Sequence, residues 1–309
     1  MTPDSSTLAA GTLTAGTADN LTAEAKAGIL VDALPYIRRF WGQIVVVKYG
    51  GNALGAPPSG DGSSATLATF AQDIVLMSSV GMRPLVVHGG GPQIGELMAR
   101  LGKVPEFRHG LRVTDAETLD IARMVLVGKV NRDIVSAINV HAPIAVGVSG
   151  EDAGLIGATQ RDPELGFVGD VTHVNPEILE RLLAQNLIPV VATIGSDEEG
   201  QAYNINADTA AGAVAEAVRA AKLVYLTDVE GIRRDRTDPK TLISSITITE
   251  LDALLADATV SECMIPKVVS CLRAVRAGVP QAHILDGRAV HALLLEIFTN
   301  EGYGTMVSQ

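Results

Sequence analysis

The sequence lacks several features that mark large functional classes of protein. No stretch approaches the ~18 consecutive apolar residues of a membrane-spanning helix, so we expect no membrane span. No cluster of lysine and arginine occurs, and the formal net charge is −11, so the overall field would repel nucleic acid. With 47% hydrophobic and 19% charged residues, the composition is that of a globular protein.

Cysteine is scarce, and the chain offers no obvious metal ligands. Cys263 and Cys271 are its two cysteines, and their spacing is not that of a metal site. We expect reduced thiols in a cytoplasmic protein. Carboxylates do not cluster as in a protein-built magnesium cage either, so we expect no metal site formed by the protein alone.

The first 41 residues divide into two segments. Residues 1–20 are small and polar, without the basic start and long apolar core of a secretion signal, and we expect a disordered tail. Residues 21–41 predict an amphipathic helical arm, which Pro35 should break or kink one turn before its end. The apolar residues at helical spacing are Ile29, Leu30, Leu34, Ile37 and Phe40. The pattern leaves open whether this arm packs on its own core or is exchanged between subunits.

Short runs rich in β-branched residues predict the fold class. They end in glycine or a polar residue, alternate with helical patterns, and cover residues 44–48, 84–88, 188–194, 223–227 and 282–286. Continuous apolar strands of this kind are buried on both faces, which predicts an α/β fold, a three-layer αβα sandwich with a mainly parallel central sheet. Functional side chains in such folds gather at the carboxyl ends of the strands.

The domain organisation is predicted from the same patterns. We expect an N-terminal lobe over residues 42–219 and a C-terminal lobe over 220–309, divided near an alanine-rich helix from Asn206 to Lys222. Residues 144–175 are dense in glycine and aspartate, and we expect hairpins there that cap one side of the sheet.

Two glycine-rich segments follow predicted strands. Lys48 ends a predicted strand and precedes Gly50 and Gly51. A buried lysine in that place either forms an ion pair within the protein or binds an anionic ligand. The alternative is that its side chain extends outward to solvent. The run from Gly89 to Gly91 opens a predicted helix, where free N–H groups and the helix dipole form an anion cradle. Neither segment is a Walker A motif or a GxGxxG fingerprint.

The polar residues at the other predicted helix starts have ordinary structural explanations as well. Asn206 can cap a helix whose first turn contains Asp208, and Asp208 could simply favour the helix dipole. Lys267 stands just after Pro266 at a helix start, where a cation is electrostatically uncomfortable unless a phosphate shares the site. A histidine at the end of a strand, such as His88, is more often a hydrogen-bonded structural residue than a general base.

Six ordered motifs together resemble the N-acetylglutamate kinases, a family of the amino acid kinase superfamily. They are VVKYGGNA (46–53), VVHGGGPQI (86–94), GLRVTD (110–115), NINAD (204–208), LTDVEGI (226–232) and MIPKV (264–268). The resemblance runs from about Ala25 to Val307. At one point the chain departs from the family pattern, because Glu262 and Cys263 stand where a small residue usually precedes the methionine.

The resemblance implies a role for each matching residue. ATP, with Mg²⁺ carried by the nucleotide, would phosphorylate the γ-carboxylate of N-acetyl-L-glutamate. Lys48 and Lys267 would contact the transferring phosphoryl group, and Asp208 would orient both lysines. The remaining implied contacts are Gly50, Gly51, Gly90 and Gly91 as backbone donors, Arg112 and Asn204 on acetylglutamate, and Thr227, Asp228 and Gly231 near the nucleotide.

The resemblance also implies regulation. The arm and the segment from His291 to Met306 are similar to the arginine-inhibited branch, in which N-terminal helices join dimers into a hexamer. Candidate contacts for L-arginine are Lys222, His283, Glu296, Glu301 and Gly302. A sibling kinase with another acid substrate, a catalytically silent arginine sensor and an unassigned Rossmann-like protein remain alternatives at this point, and a nitrogen-signalling partner stays open.

Overall fold

A computed structural model of the chain describes residues 21–50, 62–108, 110–235, 238–257, 260, 264–299 and 303–309. Several positions that the sequence analysis singles out lie outside these ranges: residues 1–20, Gly51, Glu262, Cys263, Glu301 and Gly302. Among the described helices, none combines the length and the apolar character that crossing a membrane requires.

A large central sheet organises the described part of the chain. Its strands, in spatial order from edge to edge, are β12 (Ser245–Thr247), β14 (Thr305–Ser308), β13 (Gln281–Asp286), β11 (Lys222–Thr227), β1 (Ile44–Tyr49), β2 (Arg83–His88), β8 (Ile188–Ala192) and β5 (Ala145–Ser149). The strands from β13 to β5 are parallel to one another, and β14 pairs antiparallel to β13. This confirms the predicted mainly parallel sheet.

Helices cover both faces of this sheet and bury two apolar layers. The described helices are α1 (Ala23–Phe40), α2 (Gly62–Ser79), α3 (Gly91–Arg100), α4 (Ala116–Arg123), α5 (Asn131–His141), α6 (Glu177–Ala184), α7 (Ala207–Ala217), α8 (Ile248–Ala256), α9 (Ile265–Arg276) and α10 (Ala292–Phe298). Helices α6 to α9 share a core with Val46 of β1, and α2 to α5 and α10 share the other core with Val45 and Val47. The three-layer αβα sandwich is therefore confirmed.

A second, smaller sheet forms part of the wall of the cavity described below. Its strands close on themselves in the order β10 (Ala202–Ile205), β7 (Val168–Val174), β6 (Ile156–Gln160) and β9 (Ile194–Ser196). A short hairpin is formed by β3 (Phe107–Arg108) and β4 (Leu111–Arg112). The predicted hairpin character of 144–175 holds for β6 and β7, but residues 145–149 form an edge strand of the central sheet instead.

Two further predicted boundaries are wrong for identifiable reasons. The helix expected from Asn206 to Lys222 ends at Ala217, since Arg219 takes a left-handed conformation with φ of 51° and Lys222 already opens β11. The strand expected over 188–194 is divided after Ala192, because the chain leaves the central sheet there to enter β9. The boundary between two lobes stays a prediction.

Helix α1 covers most of the segment predicted as an arm, and it packs on the core of its own chain only near its last turn. It continues through Pro35, so the proline does not break the helix, and the kink stays a prediction. The missing N–H removes one hydrogen bond from an exposed helix. Ile29, Leu30 and Leu34 are 56%, 70% and 48% exposed, whereas Phe40 in the last turn is buried. The apolar face of the arm is therefore available to another surface.

Close packing of α7 on α9 depends on Gly212. A Cβ at this position would lie 2.6 Å from the Ser270 Oγ atom and 3.4 Å from the Tyr225 hydroxyl. Glycine inside a helix costs roughly 0.5–1 kcal/mol relative to alanine, so its presence here is explained by the neighbouring helix rather than by helix propensity.

We therefore predict that Gly212→Ala destabilises the protein, although the same change usually stabilises a helix. Crowding of Ser270 should lower the free energy of unfolding by about 1–3 kcal/mol in urea denaturation. The control is Gly128→Ala, at an exposed helical glycine where a Cβ meets no atom within 4 Å, which should leave the protein equally or more stable. Equal effects of the two substitutions would contradict this packing argument.

Candidate active site

The carboxyl ends of β1, β2 and β11 open into a cavity of about 260 Å³. Its walls also include the first turns of α3, α7 and α9, the β3–β4 hairpin and part of the small sheet. Of the predicted site residues, the following line it: Lys48, Gly50, Gly90, Gly91, Arg112, Asn204, Asp208, Thr227, Asp228 and Lys267. Residues from six separate motifs are thus brought to one place at the strand ends.

Lys48, Asp208 and Lys267 form the centre of the cavity. The Lys48 Nζ atom lies 2.8 Å from Asp208 Oδ1, and the Lys267 Nζ atom lies 3.3 Å from Asp208 Oδ2. Each oxygen of one carboxylate therefore contacts a different ammonium group. We call these three residues the lysine–aspartate triad.

Local structure explains why these three side chains meet. Alternation along β1 turns Lys48 to the same side as Val46, which is the side covered by α7 and α9. Asp208 lies in the first turn of α7, where the Asn206 Oδ1 atom accepts hydrogen bonds from the Asp208 and Thr209 N–H groups, confirming the predicted cap. Lys267 lies in the first turn of α9, which begins with Ile265 and Pro266.

Electrostatics favours the ionised form of the buried carboxylate. Burial would raise the pKa of Asp208, but attraction to Lys48 and Lys267 outweighs this effect and holds the pKa below its ordinary value. The Asp208 side chain is only 7% exposed. Two ammonium groups and one carboxylate leave a net positive charge at the cavity, which suits an anionic ligand.

The glycines that follow β1 and β2 bring the backbone close to the triad. A Cβ at Gly50 would lie 2.9 Å from the Leu226 carbonyl oxygen and 3.1 Å from Lys48 Nζ, so a side chain there would crowd the lysine. A Cβ at Gly90 would lie 2.7 Å from the Leu126 side chain. Because α3 begins at Gly91, its unpaired N–H groups and positive dipole end lie at the cavity.

Arg112 and Asn204 occupy the wall away from the lysines. The Arg112 guanidinium donates to the Gly91 carbonyl oxygen at 2.9 Å and lies 4.7 Å from the centre of the Phe107 ring. Asn204 Nδ2 donates to the Thr114 hydroxyl at 3.3 Å. Both side chains are held in place with further donor capacity, as recognition of a carboxylate requires.

His88 is a structural residue at the end of β2. It is fully buried, and Asn131 Nδ2 lies 3.1 Å from its Nε2 atom. Burial lowers the pKa of His88 to about 4, so the imidazole is neutral at physiological pH. It does not line the cavity, which agrees with the structural interpretation of this histidine.

The residues predicted near the nucleotide divide between two places. Thr227 and Asp228 line the cavity at the end of β11, and the Thr227 hydroxyl donates to Asp228 Oδ1 at 3.1 Å. Gly231 lies on the following turn and outside the cavity lining, where a Cβ would come within 2.5 Å of the Thr305 hydroxyl. Its nucleotide role stays a prediction, whereas its structural role in the turn is evident.

Three of the residues predicted to bind arginine form a cluster at the opposite end of β11. The Glu296 Oε1 atom lies 3.1 Å from Lys222 Nζ and 2.7 Å from His283 Nδ1, and all three residues are buried. The Lys222 ammonium lies 5.3 Å from the centre of the Phe40 ring of α1. The cluster is thus adjacent to the arm and lies about 17 Å along the strand from the cavity.

Some residues around the site were missed by the sequence analysis. Phe107 and Thr193 line the cavity, and Thr193 donates to the His88 carbonyl oxygen at 3.3 Å. Tyr225 and Ser270 contact the backbone of Asp208 from behind. The position of Ser270 one turn after Lys267 is a signal that could have been noticed, whereas Tyr225 looks in sequence like an ordinary core residue of a strand.

The donor set of the cavity suits phosphate better than a bare metal ion. Within the described residues, no group of three or more His, Cys, Asp or Glu side chains could hold a metal. The Asp208 carboxylate already contacts two ammonium groups. The absence of a metal site formed by the protein alone stays a prediction.

Comparison with known proteins identifies the relatives of the chain. Residues 43–286 match the Amino acid kinase family. The acetylglutamate kinase of Symbiobacterium thermophilum is 52% identical over 291 residues, which are 91% of this chain and 97% of that protein. The acetylglutamate kinase of Saccharopolyspora erythraea is 52% identical over 293 residues, which are 93% of this chain and 94% of that protein.

Solved structures of another enzyme share the fold of this chain. N-acetylglutamate synthase from Neisseria gonorrhoeae, complexed with coenzyme A and N-acetyl-glutamate, has a TM-score of 0.79 at 27% identity and covers 92% of this chain. Its complex with coenzyme A and L-arginine has a TM-score of 0.76 at 28% identity and covers 91%. The chain spans only 63% and 65% of those synthase chains.

The family match covers most of the chain, and the curated relatives share half of its residues over nearly their full length. This confirms the resemblance found in the six motifs. The chain therefore belongs to the amino acid kinase family and, within it, to the acetylglutamate kinases.

Proposed function

We propose that the protein transfers the γ-phosphoryl group of ATP to the γ-carboxylate of N-acetyl-L-glutamate, giving N-acetyl-L-glutamyl 5-phosphate in the cytoplasmic biosynthesis of arginine. The observation that supports this most strongly is the contact of Lys48 and Lys267 with one buried carboxylate at the floor of the cavity. The names of the half-identical relatives support the same reaction.

The chemistry explains why the cavity needs no general base. A glutamyl carboxyl group has a reference pKa of ~4.3, so the attacking oxygen is already ionised at neutral pH. That oxygen forms a bond to the γ-phosphorus while the bond from this phosphorus to the bridging oxygen breaks and ADP leaves. No proton is transferred, which is consistent with a neutral, buried His88 outside the cavity lining.

The main barrier is repulsion between two anions, and the cavity is built to reduce it. Lys48 and Lys267 would contact oxygens of the transferring phosphoryl group, while Asp208 keeps the two ammonium groups together. Backbone N–H groups at Gly50, Gly90 and Gly91 would supply further donors. Mg²⁺ carried by the nucleotide would neutralise charge on the phosphates.

The residues that would select the substrate lie on the cavity wall away from the two lysines. Arg112 would bind the α-carboxylate of acetylglutamate as a two-donor fork, and Asn204 would contact the same substrate. The alternative is a sibling kinase acting on glutamate, aspartate, carbamate or a nucleoside monophosphate. Of these substrates, carbamate and a nucleoside monophosphate have no α-carboxylate for Arg112 to bind, whereas glutamate and aspartate do. The intact lysine–aspartate triad disfavours a catalytically silent arginine sensor.

The direct test is to trap the acyl phosphate with hydroxylamine in a reaction of the purified protein with MgATP and N-acetylglutamate. Lys48→Ala and Lys267→Ala should each lower kcat by about 10²-fold or more, because one preorganised cation is removed from the transition state. Lys129→Ala, at a lysine 59% exposed, is the matched control and should retain full activity. Unchanged turnover in a triad variant whose folding is intact would remove that lysine from the mechanism.

A second prediction separates binding from chemistry at Arg112. Arg112→Lys keeps the charge but loses the planar fork, so the KM for acetylglutamate should rise about tenfold while the KM for ATP changes little. Arg100→Lys, near the end of α3, is the control. A selective rise in the KM for ATP would instead assign Arg112 to the nucleotide.

Arginine inhibition and a hexamer built through the arm form a further part of the proposal. Lys222, His283 and Glu296 would contact L-arginine, with Glu301 and Gly302 as additional candidates outside the described residues. Two observations support this assignment: the cluster lies beside Phe40 at the end of the arm, and the apolar side of α1 is exposed. The related synthase crystallised with L-arginine is consistent with it.

Removal of residues 1–41 should leave kinase activity but abolish both the hexamer and arginine sensitivity. Leu30→Glu is a milder variant, because this side chain is 70% exposed and a charge there should disturb an intermolecular contact without affecting the fold. Light scattering reports the oligomer, and inhibition by L-arginine is measured in the same samples. A truncated protein that is still hexameric would contradict the proposed role of the arm.

A further inference from the structure

Two buried hydroxyl groups meet the backbone of Asp208 behind the triad. Ser270 Oγ donates to the Asp208 carbonyl oxygen at 2.6 Å, and the Tyr225 hydroxyl lies 2.6 Å from Ser270 Oγ and 3.2 Å from the same carbonyl oxygen. Neither Tyr225 nor Ser270 lines the cavity. We call Tyr225 and Ser270 the hydroxyl pair.

The hydroxyl pair links the two helices that carry Asp208 and Lys267 to β11, the strand next to the one that carries Lys48. Tyr225 is the direct neighbour of Lys48 in the pairing of β11 with β1. Ser270 stands one helical turn after Lys267 on α9, and the carbonyl group that both hydroxyls approach belongs to Asp208 on α7. The contacts of the hydroxyl pair with the Asp208 backbone therefore tie α7 to α9 near the point where the side chains of Asp208 and Lys267 meet.

Packing alone does not account for these two hydroxyl groups. Tyr225 is completely buried and Ser270 is 5% exposed, and the core around them is made mainly of aliphatic side chains. A buried hydroxyl group costs free energy unless it is hydrogen-bonded. Phenylalanine in place of Tyr225 and alanine in place of Ser270 would avoid this desolvation cost. Gly212 is also required to make room for Ser270.

We infer that Tyr225 and Ser270 are positioning residues, which hold the first turn of α9 against α7 so that Lys267 reaches the free oxygen of the Asp208 carboxylate. The inference rests on the proposed role of the triad in phosphoryl transfer. A carbonyl group fixed at Asp208 limits the movement of its side chain, and an anchor one turn from Lys267 limits the movement of that helix end. Placement of this kind affects the transition state more than substrate binding.

The first test compares the kinetics of three variants of the full-length protein in the hydroxylamine assay. Ser270→Ala and Tyr225→Phe should each lower kcat about tenfold, with both KM values changed less than about twofold. Cys271→Ala is the matched control, since it removes a buried side-chain atom from the adjacent position of α9 and leaves both hydroxyl groups in the protein. It should keep the kcat of the unmodified protein even if its thermal midpoint falls.

A double-mutant cycle separates positioning from general stability. If Ser270 acts through Asp208, then Ser270→Ala should cost less than about twofold in kcat when Asp208→Asn is already present. A loss of the same size in both backgrounds would overturn the inference, as would equal kcat values for Ser270→Ala and Cys271→Ala. Should Ser270→Ala fail to fold, the cycle of Tyr225→Phe with Asp208→Asn gives the same decision.

A structural measurement makes the inference independent of the proposed reaction. In a crystal structure of Tyr225→Phe or Ser270→Ala, the distance from Lys267 Nζ to Asp208 Oδ2, now 3.3 Å, should lengthen beyond the ~4 Å limit of an ion pair. An unchanged distance would overturn the positioning role even in an active enzyme. Absence of hydroxamate from the unmodified protein, with a lengthened ion pair in the variants, would overturn the proposed function alone.

Discussion

One carboxylate between two ammonium groups is the interaction on which the site depends. Lys48 and Lys267 come from distant parts of the sequence, and without Asp208 the charges of these largely buried side chains would repel each other. The ionised Asp208 carboxylate offsets this repulsion, and the triad still carries one net positive charge. An anionic phosphoryl group in transit would find that charge already in place, with no reorganisation of the site.

The sheet order is what allows this interaction to form. β1 lies between β11 and β2, so the polar residues that follow these strands meet at one edge, and the first turns of α7 and α9 approach the same point. β11 runs from the buried cluster near the arm to the cavity. It begins at Lys222 in that cluster and ends at Thr227 in the cavity wall. Between them, Tyr225 is paired with Lys48 of β1. One strand therefore spans the proposed regulatory and catalytic regions.

Much of the fold could be predicted because its signals are local. Continuous β-branched runs located five of the eight described strands of the central sheet, four of them within one residue at each end. Asn206 and Pro266 marked the helices that carry Asp208 and Lys267. The errors occurred where tertiary context overrode the local pattern. The left-handed Arg219 ends α7 early so that the chain can enter β11, and residues 145–149 join the central sheet although their surroundings are rich in glycine.

The sequence by itself determined the types of group available to the site: lysines at a strand end and a helix start, glycines with free N–H groups, and a capped helix beginning with an aspartate. Only the tertiary structure decided that Asp208 binds both lysines rather than simply favouring its own helix dipole, and that Tyr225 and Ser270 meet its carbonyl group. The physical reason is that contacts across separate elements depend on sheet order and helix packing, which are set by the sum of many burial contributions and not by any single motif.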